Sequence, residues 1–106
     1  MDPLDSNLVC GLRSMAQSGD QPSVMLRMIL SSLSPQADSI LLVRYFAAAF
    51  CFKDGQGYPI HGWFPAGIGE LKDSDIDRIM SKRIQQTRTE WDQQPGLAIV
   101  QQGLTP

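Results

Sequence analysis

Residues 40–52 read ILLVRYFAAAFCF, an apolar run broken only by Arg44. A helix through this run carries apolar side chains on every face, so no side of it can be left to water. The rest of the chain must therefore fold around it. The run falls short of the ~20 residues that a bilayer span needs and suits a buried helix instead. Ala47, Ala48 and Ala49 let neighbouring helices approach closely. Large side chains such as Ile40, Leu41, Leu42, Val43, Tyr45, Phe46 and Phe50 each bring about 1.5–3 kcal/mol when fully buried. Arg44 is read as a side chain that snorkels to the surface or pairs with a carboxylate.

Helical spacing recurs on both sides of this run. Leu8, Val9, Leu12, Met15 and Ala16 make one face of a first helix, with Asp5 or Ser6 to cap its start and Gly19 to end it. A second helix begins near Pro22, whose fixed φ and missing N–H suit a first turn. Val24, Met25, Met28 and Ile29 make its stripe, and Pro35 stops it by disfavouring helical geometry at Ser34. Ser34-Pro35 then reads as the cap and first turn of the third, apolar helix. A fourth starts at Asp73 or Ser74, with Ser74 and Asp77 in the form of a capping box. Its buried stripe is Ile76, Ile79, Met80, Ile84, Thr87 and Trp91, and Pro95-Gly96 closes it.

The expected fold is all-α: a small single-domain bundle of about four helices, with the central apolar helix over about 35–52. A long Gly/Pro/aromatic loop over about 54–71 precedes the last helix, and 97–106, beginning LAIV, reads as a short strand or loose C-terminal strap. A chain of 106 residues has room for one core. Its 42% hydrophobic and 19% charged content is that of a globular protein. A net charge of −2 argues against broad capture of nucleic acid or anionic membrane. The opening MDPLDSN carries two aspartates where a secretory signal would need basic residues. Cys10 and Cys51 sit among apolar residues and read as reduced thiols. A cytoplasmic location is the expectation.

The segment YPIHGWFPAGIGELKDSDID, residues 58–77, has no regular period and holds the only histidine. Most of it belongs to the 54–71 loop, whose length is uncommon in a compact domain and tends to be functional. Its carboxylates have a simple explanation, because the macrodipole favours negative charge in the first turn of a helix. Arg78, Lys82, Arg83 and Arg88 follow where positive charge is better placed. Trp63 and Phe64 either fold back as a lid over the helices or stand on the stiff loop as binding anchors. In the second case Tyr58, His61, Trp63, Phe64, Glu70, Asp73 and Asp75 form one composite face for a protein partner, and its acids favour a basic one.

Catalytic and cofactor signatures are weak. One histidine cannot build a multi-histidine metal site, and the cysteines form no Cys-x-x-Cys pair. Asp73, Asp75 and Asp77 alternate as in a calcium loop, but Arg78 and Ile84 occupy the positions that need Gly and Glu. No cofactor or metal is expected. Cys51, His61 and Asp54 can be written as a nucleophile set, although triads are usually assembled from distant segments. The turn between the second and third helices resembles a helix-turn-helix in spacing only, since the third helix offers almost no polar groups to base edges.

The expected function is a non-enzymatic protein–protein interaction module that inhibits or chaperones a specific partner. A bacterial toxin-neutralising immunity protein is a concrete example. One alternative is a self-associating structural or regulatory subunit, a homodimer packed through the second and fourth helices. The other is a small enzyme using Cys51 and His61. Neither nucleic acid nor membrane is an expected partner.

Overall fold

The computed structural model describes residues 4–34 and 37–93. These form six helices: α1 (Ser6–Gln17), α2 (Pro22–Leu33), α3 (Ser39–Phe50), α4 (Pro59–Trp63), α5 (Asp73–Gln86) and α6 (Arg88–Trp91). Four are long and two are single short turns, giving a small helical bundle. No described helix is long and apolar enough to cross a membrane.

Local chemistry sets the first two elements. The Asp5 carboxylate accepts from the Asn7 N–H at 2.8 Å and caps α1. At the other end, Gly19 adopts φ +87. The Asp20 N–H then donates back to the Met15 carbonyl and the Gly19 N–H to that of Ala16, a Schellman closure that a glycine makes without strain. Pro22 begins α2, but Gln21 before it provides no side-chain cap. That cap comes from far along the chain. Asp77, on α5, accepts from the Ser23 N–H at 2.7 Å and from the Ser23 hydroxyl at 3.1 Å. The acid read as half of its own helix's capping box thus caps a different helix. At the start of α5 it is Asp75 that accepts from the Lys72 N–H, at 3.0 Å.

The apolar helix α3 lies at the centre and packs against α1, α2, α4 and α6. Its start differs from expectation. Asp38 caps it by accepting from the Leu41 N–H at 2.9 Å, so regular helix begins at Ser39. Pro35 and Gln36 lie outside the described residues. Its burial also differs, because Leu42, Tyr45, Phe46, Ala49 and Phe50 are sealed while Ile40 and Ala48 face outward. Two long helices and two short turns do not close the whole cylinder. Phe46, Phe50 and Trp91 form a chain of edge-to-face rings, with centroids 5.3 and 5.2 Å apart.

An arginine, a tyrosine and a tryptophan finish the frame. Buried Arg13 on α1 donates from Nε to the Ala49 carbonyl at 2.8 Å and from Nη2 to that of Ala48 at 3.1 Å. A cation therefore meets the electronegative C-terminus of α3. The Tyr45 hydroxyl accepts from the Asp5 N–H at 2.8 Å, tying the start of α1 to the same helix. Expected as one helix, the last stripe breaks at Thr87 (φ −101, ψ 7). The break leaves the Ile84 carbonyl to the Trp91 indole N–H, which donates to it at 2.8 Å. Trp91 can then turn inward against Phe50. Pro95-Gly96 and the LAIV segment lie outside the described residues.

The cross-chain cap is directly testable. Asp77→Ala should cost about 1–2 kcal/mol in urea unfolding, because it removes the side-chain acceptor that caps the start of α2. Ser74→Ala, at the exposed position favoured from sequence, should change stability by less than about 0.5 kcal/mol.

Candidate functional site

The Gly/Pro/aromatic segment is more ordered than its composition suggests. Cys51 ends α3 in the left-handed region (φ 57), and the chain reverses through Gly55 (φ 82). Arg83 on α5 holds this turn, its Nη1 donating to the Gln56 carbonyl at 2.8 Å. The chain then forms α4, with Pro59 in its first turn and Ile60 and Trp63 fully buried. The expected unstructured loop thus contains a helical turn, because two apolar side chains three residues apart can reach the core together.

Trp63 is a lid, not a presented anchor. Its ring is sealed, and its indole N–H donates to Asp73 Oδ1 at 2.8 Å. Arg27 on α2 donates to the same carboxylate, 2.8 Å from Oδ2, and its guanidinium lies 5.5 Å from the Trp63 ring centroid. α2, α4 and α5 meet in this clip. The backbone must come close to complete it. A Cβ on Gly67 (φ +79) would lie 2.8 Å from Asp73 Oδ1. One on Gly69 would run into the Gly62 carbonyl oxygen, which already accepts from the Leu71 N–H at 2.9 Å.

The seven residues expected to form one face therefore separate. Trp63 is buried and Phe64 is half-buried against the core. Asp73 serves the clip, and Asp75 serves the start of α5 and a 3.7 Å ion pair with Arg78. Glu70 is exposed in the turn before α5. Tyr58 and His61 remain outward and together, their ring centroids 5.9 Å apart. His61 Nδ1 is hydrogen-bonded to the Ser39 hydroxyl at 2.8 Å, which joins α4 to the first turn of α3. Ile40, next to Ser39, is 63% exposed and Tyr58 is 64% exposed. Neither Ser39 nor Ile40 was anticipated. Their only signal was that the apolar run begins two residues past the cap of its helix.

The Cys51–His61 pairing does not form. His61 is bonded to the first residue of α3, whereas half-buried Cys51 follows its last. A helix of that length separates them by roughly 17 Å. Among the described residues, no three His, Cys, Asp or Glu side chains converge to hold a metal. A hollow of about 150 Å³ opens between the α1–α2 turn and α5–α6, floored by Met25, Ile84 and Trp91 and remote from His61 and Tyr58.

Fold and surface together define a small all-α bundle that leaves an aromatic–aliphatic patch outward at the junction of α3 and α4. No protein-family model, curated protein or solved structure matches the chain.

The Trp63 hydrogen bond, then the Arg27 hydrogen bond, hold the Asp73 carboxyl below the ordinary carboxylate pKa. A group lowered on folding adds stability above its unfolded pKa, and that stability is lost as pH falls through the folded value. Asp73 is half-exposed, so the contribution is no more than about 1 kcal/mol. In a heteronuclear NMR titration the Trp63 indole resonance should hold steady above about pH 4 and shift only below it, and Asp73→Asn should abolish that shift. Gly69→Ala should destabilise the protein by more than about 1 kcal/mol in thermal unfolding, because the crowding atoms are backbone carbonyls that cannot rotate away.

Proposed function

We propose that the protein is a non-enzymatic interaction module that binds one protein partner, inhibiting or chaperoning it. A toxin-neutralising immunity protein is one concrete form of this reading. The observation that carries it is the outward patch of Ile40, Tyr58 and His61. Two large exposed side chains, Ile40 next to Ser39 and Tyr58 against His61, flank one hydrogen bond, and contiguous exposed apolar surface marks interaction sites. The Ser39–His61 hydrogen bond and the Tyr58–His61 ring contact hold the patch on two helices. Little conformational entropy is then left to lose on binding, which is where aromatic anchors gain their advantage. The contact face proposed here keeps Tyr58 and His61 from the sequence reading, adds Ile40, and leaves out Trp63.

Affinity purification of the full chain from its native cell, quantified by mass spectrometry, tests the reading. Ile40→Asp combined with Tyr58→Ala should reduce recovery of one specific protein at least about tenfold. Val24→Ser, at an exposed position on α2, should leave that recovery within about twofold. Circular dichroism should show an unchanged fold in both. Equal recovery by all three proteins sinks the proposal. So does a purified wild-type dimer that the double substitution splits, since the patch would then serve self-association.

A further inference from the structure

We propose that the outward side of α5 is a second binding surface, independent of the Tyr58 patch, and that it takes an acidic segment of a protein. Three acids open α5, and the protein's own donors engage all of them. Asp73 is held by Trp63 and Arg27, Asp75 by the Lys72 N–H, and Asp77 by Ser23 on α2. These bonds hold the acids in the first turns of α5, and the exposed charged residues farther along the helix are Arg78 and Lys82.

These cations line a cleft of about 450 Å³ formed by Arg78, Ile79, Lys82, Arg83 and Gln86. No carboxylate lines it. Arg78 has only the longer 3.7 Å contact with Asp75, and Lys82 makes no ion pair among the described residues. Arg83 is half-buried and oriented in advance, since its Nη1 is anchored on the Gln56 carbonyl. A preset guanidinium loses less freedom on gripping a carboxylate than a free surface arginine does. Half-buried Ile79 gives the cleft an apolar floor between the cations. An adjoining hollow of about 400 Å³ shares Arg83 and Gln86 and ends at Asp54, which sets a repulsive limit to the acidic segment.

The complementarity is thus specific in kind. Carboxylates spaced along an extended segment can reach Arg78, Lys82 and Arg83 in turn, while one apolar side chain rests on Ile79. This reverses the sign of partner expected from the acids in the sequence. Nucleic acid would also be attracted to the cations, but the cleft offers it no aromatic stacking platform.

The test uses a fluorescein-labelled peptide of Glu-Glu-Leu repeats, titrated by anisotropy against the full chain in about 50 mM salt. Saturable binding tighter than about 100 μM is expected, weakening as salt rises. Arg78→Gln with Lys82→Gln should weaken it at least about tenfold. Ser14→Glu with Ser31→Glu makes the same change in net charge at exposed sites on α1 and α2, and should leave affinity within about twofold. Absence of saturable binding, or equal losses in the two variants, overturns the proposal. Tighter binding of a single-stranded RNA of equal charge, or of phosphatidylserine vesicles, also overturns it.

Discussion

One flank of α3 holds the molecule together. Leu42, Tyr45, Phe46, Ala49 and Phe50 are sealed by α1, α2, α4 and α6, and the rings of Phe46, Phe50 and Trp91 interlock edge to face. Because that flank is continuous, the helices around it have few alternative positions. Polar groups confirm each placement. Tyr45 accepts from the start of α1, and Arg13 closes the end of α3, so the two helices are pinned at two separate points. A buried arginine is tolerable here because helix-end carbonyls need donors and cannot find them within the helix.

The second organising element is the meeting of Trp63, Asp73 and Arg27. A tryptophan can be buried only where its N–H has a partner, and an acid at the start of α5 provides one. The acid remains charged because Arg27 and the indole both donate to it. Close passage of the chain at Gly67 and Gly69 is the geometric condition for this arrangement. The glycines, the aromatic residues and the acids of this segment are therefore parts of one device. It closes the bundle by folding α4 under the turn that leads into α5.

Surface character follows from what these internal bonds consume. Asp73, Asp75 and Asp77 are turned to structural tasks, which leaves Arg78, Lys82 and Arg83 to define the outward side of α5. Trp63 is likewise taken into the core, and Tyr58, one turn earlier, is left outside with His61 and Ile40. Two outward surfaces result, one apolar and one basic, on different helices. A chain with a net charge of −2 thus gathers three of its cations along one cleft.

Much of the frame was legible in the residues alone. Helical spacing located all four long helices, and Asp5, Gly19 and Pro22 marked boundaries that the structure keeps, because caps and turns depend on neighbours within a few residues. Distant pairings were not legible. Asp77 caps a helix 54 residues away, and Arg13 reaches across 36 residues to Ala49. Equally, nothing local says whether an aromatic loop is a lid or an anchor. Trp63 and Tyr58 carry similar side chains in one segment, and only the place of Asp73 and Arg27 in space separates them. The sequence by itself determined a helical chain built around one greasy segment, since periodicity and burial are properties of composition and order. Tertiary structure alone decided which charges and rings were left for the surface, since a side chain is spent inside only when its partner arrives at bonding distance.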